Sequence, residues 1–174
     1  MIVDNPVSHF IFVYSSKFVL LGRSYLTHLG RRMTNGEVLM HWGKCIVLDD
    51  RPGLDALAST LDPYVEQGQI PVVKYDREPS RNLGIEECVL MAYCDKRRRE
   101  EVWSVLKANG ARFKAWVSEE ETIRMWMPGG RLLERWIVSK GFDERRARVT
   151  REDAARRLGK VFSHPELPYE PWQQ

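Results

Sequence analysis

The chain has 174 residues, 43% of them hydrophobic and 29% charged, with a formal net charge of +3. That balance belongs to a folded domain rather than a disordered segment, and a chain of this length buries a continuous core without metals or disulfides. With 27 basic against 24 acidic residues, charge alone does not mark a nucleic-acid partner, because such domains concentrate positive charge on one face.

Basic residues cluster at Lys96 to Arg99 and from Arg145 to Arg157, but Glu100, Glu101, Glu144, Glu152 and Asp153 lie among or beside them. That interleaving is the pattern of solvated helix surfaces. Cys45, Cys88 and Cys94 contain no CxxC pair, so neither a disulfide framework nor a tetrahedral zinc site is expected; they fit small buried side chains in a reducing compartment. The segment MIVDNPVSHF lacks a basic region followed by a sustained apolar one, and no apolar window of about 18 residues exists. The expectation is a cytoplasmic protein with no membrane partner. No HExxH, GxGxxG, GxxxxGK[ST] or GxSxG pattern is present, so no metal and no cofactor is expected.

In chain order, His9 to Ser15 (HFIFVYS) reads as a strand. Lys17 to Gly22 can extend a hairpin, while Tyr25, Leu26, Leu29 and Met33 fit a helical stripe broken by Gly30. Thr34-Asn35-Gly36 is a turn signal, followed by a long strand from Glu37 to Leu48 and a polar break at Asp49 to Pro52. Leu54, Leu57, Ala58, Leu61 and Val65 recur at helical spacing, with Pro63 expected to kink or shorten the helix. Strands follow at Ile70 to Asp76 and Glu87 to Cys94, joined by the polar loop Arg77 to Glu86.

Asp95 caps a helix that carries Val102, Val105 and Leu106 inward and stops at Asn109-Gly110. Arg112 to Val117 is a strand, and Ser118 with Glu121 forms a capping box for a short helix through Trp126. Leu132 to Val138 fits strand or helix, and Thr150 with Asp153 predicts a helix of about ten residues to Gly159. Residues 163–174, with prolines at 165, 168 and 171, form an extended tail on a single domain of residues 1–162. A docked tail is expected, since an exposed Trp172 is costly. The order β-α-β-β-α-β from Glu37 to Val117 predicts an α+β fold, an antiparallel sheet with two helices on one face, extended by the N-terminal strand and C-terminal helical segments.

Three lysines fall inside strand-like runs: Lys44 in HWGKCIVL, Lys74 in IPVVKYD and Lys114 in ARFKAWV. A cation among apolar neighbours either snorkels to water or meets an anion. Alternation puts Lys44 with Trp42, Ile46 and Leu48, and His41 on the opposite side. It groups Lys114 with Arg112 and Trp116, and Lys74 with Val72 and Asp76, where an internal ion pair can form. Lysines at strand edges that discourage aggregation are the competing reading.

The order Gly43-Lys44, helix, strand with Lys74, Val89-Leu90-Met91-Ala92-Tyr93, helix, then Phe113-Lys114 before Glu120-Glu121-Thr122 resembles the basophilic-leukemia-expressed protein family over about Phe10 to Trp126. The resemblance implies a fold like that of the translation-initiation cap-binding protein, and for some members a phosphothreonine lyase. It makes Lys74 the catalytic base by position and Arg77 or Arg81 part of a phosphate clamp. Ile46 stands where the lyase places a histidine acid, and Cys45 where the family tends to have tryptophan. The resulting expectation is a domain that binds a phosphorylated or anionic ligand through Lys44, Lys74, Arg77, Arg81, Arg112, Lys114 and Trp116. The alternatives are a lyase-like enzyme, a nucleotide or single-stranded nucleic-acid binder using tryptophan stacking, and a protein-interaction module without a small-molecule site; the tail is a candidate contact for a protein partner.

Overall fold

The computed structural model describes residues 1–17, 27–28 and 31–170. Its centre is a six-stranded antiparallel sheet in the order β1-β2-β6-β7-β5-β8, built from β1 (Ile2–Val3), β2 (Phe10–Val13), β5 (Trp42–Asp49), β6 (Val72–Asp76), β7 (Cys88–Asp95) and β8 (Phe113–Ser118). A second, two-stranded ladder pairs β3 (Thr27–His28) with β4 (Arg31–Arg32). The expected hairpin at Lys17 to Gly22 falls largely outside the described residues, as do Tyr25, Leu26 and Leu29 of the helical stripe that ends at Met33; the described residues within that stripe, Thr27–His28 and Arg31–Arg32, are strand rather than helix.

The α+β class and the split βαβ arrangement follow from the connections. β5 leads through α2 (Arg51–Glu66) to β6, and β7 leads through α3 (Arg99–Ala108) to β8. Each crossover skips one strand, so β7 lies between β5 and β6 and every neighbouring pair is antiparallel. Alternation then sorts the side chains. Ile11, Val13, Cys45, Val47, Val73, Tyr75, Leu90 and Ala92 face α2 and α3, where Leu54, Leu61, Val102 and Leu106 complete the larger core. The other side carries Trp42, Val72 and Tyr93 against Val38, Ile123, Leu158 and Val161. Those four come from α1 (Asn35–His41), α4 (Glu119–Met125) and α6 (Glu144–Ser163). Leu133 and Ile137 of α5 (Arg131–Ser139) bind α6 through Ala147 and Ala154.

Several elements differ from the sequence reading for identifiable reasons. Residues 37–41 are helical rather than strand, because Thr34 and Glu37 form a full capping box that the turn-like Asn35-Gly36 disguises. His41 therefore ends a helix, and strand alternation does not apply to it. Pro63 sits in the last turn of α2, and the helix runs on to Glu66. α6 starts at Glu144, capped by Asp143, and Thr150 lies within it with its hydroxyl donating to the Arg146 carbonyl at 2.8 Å. Leu132 to Val138 is helical within α5. Arg97 pairs with Asp95, the residue that caps the Lys96–Arg98 turn, while Arg98 takes Glu101.

The tail docks on the chain's own surface as far as it is described. Asn35 N donates to Leu167 O at 2.8 Å, Gly36 N to Pro165 O at 2.9 Å, and Tyr169 N to Met33 O at 2.8 Å. Tyr169 is buried there. Trp172 lies outside the described residues.

The α1 cap is testable. Thr34→Ala should cost about 1 kcal/mol, read as a lower urea midpoint with unchanged slope. The Arg31 guanidinium and the Thr34 amide hold the Glu37 carboxyl down at about 2. Its contribution is thus present above the ordinary carboxylate range and is lost as pH falls toward about 2. The stability gap between wild type and Glu37→Gln should therefore be open at pH 7 and close over that acid range.

Candidate ligand site on the sheet face

The face turned toward α1, α4 and α6 is only partly covered, and its strands bring charged and aromatic residues into rows. Lys44 is opposite Tyr93, and Tyr93 opposite Val72; one row along, Phe12, Lys74, Met91 and Ile46 are successive cross-strand partners. Phe10, Phe12 and Tyr14 alternate along and just beyond β2 and are half-buried. The Phe12 and Tyr14 rings stack at 5.3 Å with planes 6° apart.

The two lysines of this face have different environments. Lys44 is buried, and its Nζ donates to Glu119 Oε2 at 3.0 Å and Thr122 Oγ1 at 2.7 Å. Glu119 and Thr122, three apart in the first turn of α4, present one carboxylate and one hydroxyl to the same ammonium. Lys74 is partly buried, and among the described residues its ammonium has neither a hydrogen-bond nor an ion-pair partner. It lies over the Phe10 ring at 4.1 Å and 5.7 Å from the Tyr93 centroid. Burial pushes its pKa down to about 8, and the positive charge of Lys44 adds to the effect, while Glu119 and Asp76 oppose it.

Asp76, on the same strand face, is buried and engaged elsewhere. Its Oδ2 accepts from Val89 N at 3.0 Å, and its Oδ1 is 3.5 Å from His9 Nε2. Desolvation raises its pKa. The same His9 nitrogen is 3.1 Å from Ser80 Oγ. His9 thus stands at the rim of the face, its ring edge-on to Phe10 at 4.9 Å.

The remaining residues expected from the sequence are dispersed. Arg77 is fastened to the N-terminal loop through Ser8 O, Asn5 O and the Asp4 carboxylate. Arg81 is exposed and faces Glu86 at 3.6 Å, and Arg112 is exposed just before β8. The backbone of Lys114 lies at the irregular step between Ile46 and Val47 in the β5–β8 ladder; its side chain is outside the described residues. Trp116 pairs with Cys45 and packs on the α2/α3 side, so the sheet separates it from Lys44 and Lys74. Its ring crosses Gly43, where an added Cβ would meet Trp116 Cζ2 at 2.4 Å. Glycine before Lys44 is therefore required by a tryptophan, independently of any ligand.

With Arg99, Glu100, Trp103 and Cys45, Trp116 lines a cavity of about 340 Å³. A larger hollow of about 420 Å³, between the Arg81–Leu83 turn and α5, lies away from both lysines. Among the described residues no cluster of three or more His, Cys, Asp or Glu side chains can hold a metal, and no helix is long and apolar enough to cross a membrane. No protein-family model matches the chain, and no curated protein or solved structure matches it either.

The aromatic wall was legible as the alternation in HFIFVYS, whereas Glu119 and Thr122 were legible only as neighbours of the Ser118 cap. Removing either lysine separates their roles. Lys44→Met leaves the Glu119 carboxylate buried without its cation and should destabilise by about 3 kcal/mol in urea unfolding. Lys74→Met should instead stabilise at pH 7, by about 2 kcal/mol after discounting for partial exposure. Between pH of about 8 and 10.5 the unfolded chain binds more protons than the native one. The advantage of Lys74→Met should therefore be full below that window and vanish above it.

Proposed function

We propose that the protein binds a phosphorylated or otherwise anionic ligand on this sheet face, with Lys74 as the contact to the anion. The observation that carries the reading is an ammonium group held among aromatic rings with, among the described residues, no carboxylate of its own. Such a cation is poorly compensated, and an incoming phosphate or carboxylate supplies what the fold withholds. Phe10 and Phe12, half-buried on β2, then pack against the apolar or planar part of the ligand. Lys44 contributes positive field and leaves its hydrogen bonds with Glu119 and Thr122 intact. Arg77 and Arg81 are engaged elsewhere, so this reading assigns the anion to Lys74 without them.

A second reading follows from His9. A lyase-like elimination needs a base and an acid, and Lys74, with its lowered pKa, supports the base role. His9, positioned by Asp76 and Ser80, supports the acid role. Lys74 would take the α-proton of a phosphothreonine, the Cβ–O bond would break, and phosphate would leave with a proton from His9.

Both readings are tested with phenyl phosphate and a phosphothreonine peptide. Calorimetry should show binding that weakens at least ~10-fold in Lys74→Met and persists in Lys74→Arg, as expected when one charge-assisted contact is lost. Equal affinity of wild type and Lys74→Met for both ligands would overturn the binding reading. Loss of phosphoric acid from the peptide by mass spectrometry, abolished in His9→Ala, marks the lyase; an unchanged peptide mass ends it.

A further inference from the structure

We propose that the Lys74 amine forms an imine with a carbonyl compound bearing an anionic group, so that this face is a covalent carbonyl-trapping site. The inference rests on the ligand site just described and extends it from anion contact to chemistry at the nitrogen.

Three features of the face favour a free amine. Lys74 stands between Phe12 and Met91 on the adjacent strands, with Phe10 and Tyr93 near its nitrogen, so water solvates the ammonium poorly. The two nearby carboxylates are committed, Glu119 to Lys44 and Asp76 to the Val89 amide and His9. A second cation, Lys44, lies on the same face, and two like charges disfavour each other. The lowered pKa agrees with this geometry: with a value of about 8, roughly a tenth of the groups are neutral at pH 7. An ordinary lysine has less than about a thousandth neutral.

The reaction balances without an oxidant or a bound cofactor. The amine lone pair attacks the carbonyl carbon, the two amine protons pass to the carbonyl oxygen, which leaves as water, and a C=N bond replaces C=O; a proton from solvent then gives the protonated imine. The protonated imine restores a positive charge beside Phe10, where the ring quadrupole favours it. Planar, conjugated carbonyl compounds suit the aromatic wall best, since the imine stays in conjugation and lies against the half-buried Phe10 and Phe12. A bound phosphate keeps Lys74 protonated, whereas a carbonyl ligand consumes the neutral fraction. The two modes therefore have opposite pH dependences.

The test treats the full chain with 4-formylphenyl phosphate and cyanoborohydride, which reduces the imine to a stable amine, and maps the adduct by peptide mass spectrometry. Phenyl phosphate, with the same ring and anion and no carbonyl, is titrated in parallel. Lys74 should be labelled at least ~50-fold faster at pH 7 than the exposed Lys96, Lys107, Lys140 and Lys160, with a rate that rises to a plateau above a pH of about 8. Lys74→Arg should lose the adduct and keep phenyl phosphate binding. Adducts spread over the exposed lysines with no preference for Lys74 overturn the imine proposal, whether or not phenyl phosphate binds. Selective labelling without phenyl phosphate binding upholds it and overturns anion binding instead.

Discussion

The contact on which the sheet face depends is the buried ion pair between Lys44 and Glu119, completed by the Thr122 hydroxyl. It joins the third residue of β5 to the first turn of a helix 75 residues further along the chain. It also fixes the electrostatics of everything beside it. Because Glu119 is used by Lys44, Lys74 is left, among the described residues of the face, as a cation without a counter-ion of its own. Had the carboxylate stood midway between them, both ammonium groups would be satisfied and the face would be chemically quiet. Buried pairs of this kind contribute little net stability against an apolar alternative, but breaking one leaves an uncompensated charge. Their value here is positional, since α4 cannot slide along the sheet without abandoning Lys44.

The two sides of the sheet have separate duties. The side under α2 and α3 is a close-packed hydrocarbon core in which even Cys45, Cys88 and Cys94 serve as small buried groups. The other side is unevenly roofed, and its aromatic residues stay half-buried along β2. Trp116 and the glycine beneath it belong to the first side, whereas Lys44 and Lys74 belong to the second. Two residues adjacent in a strand are as far apart functionally as the thickness of the sheet allows.

Much of the architecture was legible from local chemistry. The Ser118/Glu121 cap, the helical stripe from Leu54 to Val65 and the order of elements from β5 to β8 all express rules that act within a few residues. The Thr34/Glu37 cap obeys the same rule, yet Asn35-Gly36 inside it imitates a hairpin turn, and Glu37 to His41 then reads as strand. Local signals were in conflict, and burial of Val38 against α4 and α6 decided the outcome. The site was less legible because its determinants are distant in sequence. Parity paired Lys74 with Val72 and Asp76, but nothing local announces that Glu119 belongs to Lys44 or that Phe10 lies over Lys74. The irregular step at Ile46/Val47 defeats alternation in β8 outright.

The strap formed by residues 165–169 carries a consequence for how the protein comes into being. Its carbonyls receive the amides of Asn35 and Gly36, and its Tyr169 closes the apolar cluster around Met33 and Val38. The helix that leads into β5 is thus finished by a stretch made some 130 residues later (Asn35 Nδ2 to His164 O, separation 129). During synthesis β5 can pair with β7 and β8 while the roof over its lysines is still incomplete. The nascent chain therefore passes through a stage in which the helix-packed side is already sealed and the lysine-bearing side is still partly unroofed, with closure left to α6 and the strap.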